Sequence, residues 1–420
     1  MVGHRLRLVA ISFLLCAIVA CDRNTPRPTT PVIPLPKNDW ATAAITSDEL
    51  RPAIDRAGRY MIRACDDEGK FAYEINLDPT VTPDPEYNML RHAGTIYALA
   101  AYYRWQPAEP TLDAMRRAAD FLKRMSIDRV PEDGDMLAVW SHPEINLTNN
   151  PLTAKLGGTG LGLVALTTIE QIQPGTTPLD DLQRLGRFIV FMQKDDGSFY
   201  AKYIPSEGGR SDRFVSLYYP GEAALGLLML YELDPSPVWF GAAAKCIDYL
   251  ARLRAGKRTV EADHWALLAT AKLLELAKRD NLPIDREAAM RHATGVCNSI
   301  LAGIPRYPLH LAADGCLTSD GRTCPTATRL EGLLAALTFL PESDAPLRAR
   351  IAETVGPGIA FLVRAQTTSG QDEGAIPCVI ARPNDGSPQT RDPSETAVRI
   401  DYVQHATSAM IEFDRQAVSR

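Results

Sequence analysis

A chain of 420 residues that is 45% hydrophobic and 23% charged has the balance of a globular protein, with apolar material for one large core or two smaller ones. Its formal net charge of −6 argues against a nucleic-acid partner or a basic membrane-docking face. The acidic excess is spread along the chain and singles out no substrate.

At the N-terminus, His4, Arg5 and Arg7 precede an apolar run from Leu8 to Ala20. That run is too short to span a bilayer and has the size of a signal-peptide core. It ends Ile18-Val19-Ala20-Cys21, which resembles a bacterial lipobox. The resemblance implies cleavage before Cys21 and a lipid on that cysteine, so that the protein faces the periplasm from a membrane. A plain secretory signal and an uncleaved anchor are the competing readings. Asp22 resembles the inner-membrane retention signal of enteric lipoproteins. The proline-rich stretch Asn24–Asn38 reads as an extended tether. The expected organisation is therefore a signal peptide over 1–20, a tether over 21–39 and one folded domain over 40–420.

Cysteine usage fits an oxidising compartment. Beyond Cys16 and Cys21 the chain has Cys65, Cys246, Cys297, Cys316, Cys324 and Cys378. Cys316 and Cys324 bracket a polar loop, DGCLTSDGRTC, and are the expected disulfide. Cys246 and Cys297 lie in apolar helical runs, as core thiols do. Neither CxxC nor HExxH occurs, nor a Cys-His pair at zinc spacing, so no metal and no cofactor is expected.

In chain order, Ser47 to Asp66 is a capped helix with acids in its first turn. Lys70 to Asn76 alternates like a hairpin arm. Asn88 to Arg104 is a helix rich in small residues, and Thr111 to Ile127 is amphipathic. A long loop with AVWSHPEI leads to Lys155–Ile172, again rich in Gly, Ala and Leu. The alternation continues with Leu179–Gln193 and Tyr218–Leu233, Val238–Arg254 and Ala262–Lys278. Asp285–Ala302 with Thr326–Leu340, and Leu347–Gln366 with Ser394–Phe413, complete it. The second helix of each pair is apolar nearly all round, which predicts burial on every side.

Six outer-inner pairs about sixty residues apart need neighbours to cover their apolar faces, and a closed ring supplies them without capping units. The fold class predicted is all-α, an (α/α)6 toroid with short β-hairpin-like loops at its mouth. With stretches such as YNMLRHAGTIYAL, QKDDGSFYAKY, YYPGEAALGLL and RIDYVQHATSAM, the chain resembles the six-hairpin glycosidase superfamily and its relatives among polysaccharide lyases and uronyl epimerases. RFIVFMQKDDGSF also resembles the QW repeat of terpenoid-cyclase toroids, but no DxDD motif accompanies it. The main resemblance implies a carbohydrate-active enzyme; a non-catalytic glycan- or partner-binding lipoprotein is the reading from another class, since fold alone confers no activity.

The loops from outer to inner helices are long, which places a site at the mouth formed by the inner-helix N-termini. Standing there are Tyr87, Asn88, Arg91 and His92; Tyr219 and Glu222; Asp263, His264 and Trp265; Arg329 and Glu331; and Arg399, Asp401, Tyr402, Gln404 and His405. Glu222, Asp263 and Asp401 are the candidate catalytic carboxyls for glycoside hydrolysis, which uses two acids. The aromatic, amide and basic residues, with Asp196, are candidate glycan contacts. Arg91, Lys155, Arg329 and Arg399 suit an acidic sugar, which opens lyase or epimerase chemistry by Tyr87, Tyr219, Tyr402, His92 or His405. Structural roles compete at each position: Asp263 as a helix cap, Asp401 as an ion-pair partner of Arg399, Asp196 as a turn residue, the histidines as satisfied core groups.

Overall fold

The computed structural model describes residues 45–131, 133–381 and 392–418. The chain divides into a leading unit, Met1–Asn38, outside the described residues, and a second, Asp39–Arg420, which holds every element below. The signal peptide, Cys21 and the tether therefore fall outside the described residues. No described helix is long and apolar enough to cross a membrane.

The outer helices are α1 (Ser47–Ala64), α3 (Glu109–Ser126), α6 (Leu179–Phe191), α8 (Pro237–Arg254), α10 (Arg286–Ala302) and α12 (Ala345–Ala365). The inner ones are α2 (Met89–Trp105), α5 (Leu156–Ile172), α7 (Tyr219–Leu233), α9 (His264–Asp280), α11 (Thr323–Leu337) and α13 (Ile400–Val418). One extra turn, α4 (Pro143–Asn146), sits in a loop. Each inner helix packs on the next, and α13 packs on α2, which closes the ring; α1 lies against α13. This is the (α/α)6 toroid of the six-hairpin glycosidase-like fold.

Small residues explain how the inner ring closes so tightly. A Cβ on Gly160 of α5 would stand 2.8 Å from the Ala223 nitrogen of α7, and one on Gly226 would stand 2.7 Å from the Gly160 carbonyl. Backbone meets backbone there, and any side chain would separate the helices. The first and last helices are joined at the opposite end, where Asp414 accepts from Arg51 Nε at 3.2 Å and from Trp105 Nε1 at 2.9 Å.

Short strands gather over the mouth. β1 (Glu74–Asn76) pairs antiparallel with β7 (Ala397–Arg399), so the expected hairpin arm is completed by the opposite end of the chain. A five-stranded sheet runs β2 (Ile127–Val130), β3 (Asp133–Ser141), β4 (Thr153–Lys155), β5 (Lys202–Ile204), β6 (Gly209–Ser211). The stretch AVWSHPEI, read as loop, supplies much of β3; Trp140 is buried there against the Tyr203 ring, 6.1 Å between centroids.

Helix α11 begins three residues earlier than expected, which takes Cys324 into its first turn. The expected Cys316–Cys324 disulfide is not formed: all six cysteines of the described residues are free thiols. Cys316 Sγ instead lies 3.3 Å from the hydroxyls of Thr318 and Thr326. In the helical first turn Cys324 is partly buried, and burial, with the neighbouring Asp401 carboxylate, pushes its pKa well up.

Candidate functional site

Glu222 is the fourth residue of α7, brought into the ring by the Pro220-Gly221 start of that helix. A Cβ on Gly157 would stand 2.0 Å from Glu222 Oε2, so the absence of a side chain there makes room for the carboxyl. That oxygen is buried with no hydrogen-bond partner among the described residues. Burial, aided by Asp263, pushes the Glu222 pKa up to about 8, and the carboxyl is neutral at neutral pH.

Three further groups, one from each of three inner helices, meet one another inside the ring. His405 Nδ1 lies 2.7 Å from Glu331 Oε2, and His264 Nε2 lies 3.8 Å from the same oxygen. The His264 and His405 rings are 5.3 Å apart, edge to face, with Trp265 and Tyr218 packed on His264 at 5.0 and 5.1 Å. Among the described residues neither ring nitrogen of His264 has a hydrogen-bond partner, although the residue is only 1% exposed. Its burial, with His405 adding, drops the pKa well below the histidine range, so His264 is a neutral imidazole. For His405 burial also opposes the charge, but the Glu331 carboxylate and its hydrogen bond outweigh it and raise the pKa. Glu331 itself is raised, chiefly by burial. One histidine is thus held neutral and the other inclined to carry a proton.

The donor atoms of these three residues lie within 4.8 Å of one another, close enough to share a metal ion. The direct His405–Glu331 bond would have to be given up to admit one. Because the donors come from α9, α11 and α13, no motif spacing could announce such a cluster.

Two carboxyls expected to be catalytic are held by arginines. Asp263 Oδ1 caps α9 by accepting from Ala266 N–H at 3.1 Å, and its Oδ2 accepts from Arg254 Nη2 at 2.7 Å. Arg254 also reaches His292 Nε2 at 2.9 Å, so Asp263 ends a buried structural network. Asp401 accepts from Arg91 Nε at 3.0 Å and from Arg399 Nε and Nη2 at 2.6 and 3.1 Å. Burial would raise its pKa, but the Arg399 bonds prevail and hold it below the usual carboxylate range. What Asp401 does is fix two half-exposed guanidinium groups, Arg91 and Arg399, over the mouth.

The remaining expected contacts divide. Tyr402 lies under the Arg399 guanidinium at 4.7 Å, and Gln404 packs on Gly94 where a Cβ would come within 2.4 Å of its Nε2. Tyr219 flanks Gly157 and faces the Phe214 ring at 5.8 Å. Asn88 caps α2 through Leu90 N–H, 2.9 Å away. His92 is a satisfied core histidine: its Nδ1 meets the Tyr87 hydroxyl at 2.7 Å and its Nε2 the Ala118 carbonyl at 2.8 Å. Tyr87 is thereby engaged as well. Asp196 closes its own turn, accepting from Ser198 N–H at 2.9 Å at an exposed position. Arg329 turns to the Leu317 carbonyl. Tyr73, whose hydroxyl bonds Arg91, and Tyr218 were not singled out from sequence; Tyr73 reaches the site only because β1 pairs with the far end of the chain.

Solved structures share this fold. The cellobiose 2-epimerase of Bacillus thermoamylovorans superposes with a TM-score of 0.63 at 15% identity, over 88% of this chain and 98% of that one. An unsaturated glucuronyl hydrolase specific for heparin gives 0.59 at 12%, over 89% and 99%. An inactive variant of an α-1,6-mannanase of Salegentibacter sp., in complex with α-1,6-mannotriose, gives 0.55 at 12%, over 89% and 98%. No protein-family model and no curated protein sequence matches the chain.

Proposed function

We propose that the protein is a carbohydrate-active enzyme that moves a proton at a sugar carbon beside a carbonyl, an epimerase or isomerase. The observation that carries this is the buried His264–Glu331–His405 cluster, with His264 unpartnered while Asp263 and Asp401 are held by arginines. Neutral His264 takes the proton from carbon, leaving the electron pair in an enediolate, and His405, whose protonated form the Glu331 carboxylate stabilises, delivers a proton back to carbon. Passage of the proton from His264 to His405 by way of the Glu331 oxygen that both histidines face then restores the starting state, so the protons balance over a turnover. The fold neighbours named above include an epimerase, which supports the reading.

Hydrolysis, the first expectation from sequence, keeps one supporting observation: Glu222 is a protonated carboxyl suited to donate to a leaving oxygen. Incubating the purified protein with reducing mono- and disaccharides in D2O separates the two. Proton transfer at carbon puts deuterium at C2 and interconverts isomers; hydrolysis releases new reducing ends without it. Absence of deuterium from every reducing sugar tried would overturn the epimerase or isomerase reading. We place the enzyme in the cell envelope, anchored through lipid on Cys21, on the lipobox-like sequence alone.

A further inference from the structure

Strands β4 and β5 pair antiparallel in a register that sets Lys155 directly opposite Lys202. Residues directly opposite share a face of the sheet, and like charges so placed destabilise the pairing. Both lysines line one cavity of about 560 Å³ at the mouth. Among the described residues neither ammonium has an ion pair; Lys202 Nζ has only the Phe214 ring, 4.6 Å away. Lys155 is also the residue before α5, so the positive end of that helix adds to the field. Burial first, then Lys202 and Arg91, depress the Lys155 pKa.

Two of the nearby carboxylates are already paired with arginines. Glu207, on the cavity wall, is tied to Arg213 at 3.0 Å, and Asp401 is held by Arg91 and Arg399. Glu86 is the other acid that lines the cavity. An unfavourable cross-strand pair aimed into a roomy, polar cavity is stabilised when an anion enters, and a planar or tetrahedral oxyanion can bridge two ammonium groups.

We propose that the Lys155–Lys202 pair forms an anion subsite that takes an acidic substituent of the glycan, a uronate carboxylate or a sulfate ester. This rests on the reading of the mouth as a carbohydrate site, and it narrows the substrate to acidic glycans.

The test is calorimetric binding of the full mature protein to uronic acid oligosaccharides, to sulfated ones and to their neutral counterparts, with inorganic sulfate as competitor. At least tenfold tighter binding of a charged series is expected, falling with added salt. Preference for the carboxylated or the sulfated series identifies the source of the charge. Lys155→Gln and Lys202→Gln should each reduce the preference, and the double variant should abolish it; Lys155→Arg with Lys202→Arg should retain it. Competition by sulfate supports an anion site. Equal affinity for charged and neutral sugars, no binding of either, or a preference untouched in the folded glutamine variants overturns the subsite. The outcomes are separable from the proposed chemistry. Charged preference without deuterium exchange leaves the subsite and removes the epimerase or isomerase reading, whereas exchange on neutral sugars with no charge preference does the reverse.

Discussion

Glu331 Oε2 accepts a hydrogen bond from His405 Nδ1 across 2.7 Å, joining the third turn of α11 to the second turn of α13. Buried in low dielectric, a carboxylate this close favours the imidazolium, which sets the protonation state of the pair. Glu331→Gln keeps the shape and removes the charge. The expected result is a fall in rate of about 100-fold and a lower His405 pKa in an NMR titration. A rate loss with His405 titrating as before would mean that Glu331 acts only in packing.

Glu222 titrates against the trend of surface acids. Its folded pKa is about 8, against about 4.3 for an unfolded glutamate. Between those values the folded protein binds the extra proton, so stability declines as pH rises through that window. Glu222→Gln should flatten the decline, read as urea midpoints at pH 5, 7 and 9. Identical pH dependence in the variant would show that the carboxyl is not protonated when folded.

The Arg254–Asp263 pair is buried on both sides, with side-chain exposures of 5% and 0%. Removing one partner strands the other's charge, so Arg254→Met or Asp263→Asn should cost about 3–5 kcal/mol in urea unfolding. Turnover per folded molecule should be unchanged, because neither group is free to meet a substrate. Reduced turnover at full stability would return Asp263 to the catalytic set.

If Cys21 is lipidated, Cys21→Ser should move the protein from the membrane to the soluble fraction, with loss of the acyl mass from the N-terminal peptide. Unaltered fractionation, with no lipid mass on the native protein, would argue for a plain signal or an uncleaved anchor.

The toroid was legible because helical period and small-residue content are local properties, and α2, α5 and α7 carry both along their whole length. His264 and His405 were legible as positions at inner-helix starts. Their relation was not: Glu331 stood at the mouth without a role, and its place in the third turn of α11 is what lets it meet His405. Asp263 and Asp401 were open to several readings, because a cap, an ion-pair partner and a catalytic acid share one residue type and one location. Only the Arg254 and Arg91 side chains, from other elements, decide between them. The Cys316–Cys324 expectation failed on a boundary, since three more residues of helix carry Cys324 into the first turn of α11.

Because α13 closes the ring against both α1 and α2, helices far apart in sequence must meet before the toroid is shut. His405 stands on α13, so the His264–Glu331–His405 cluster is assembled only when that helix has docked against α11 and α2. Joining α1 and α2 to α13 also gives folding a high contact order, which slows the closing step. A protein lacking α13 would be an open horseshoe with the apolar faces of α2 and α11 exposed.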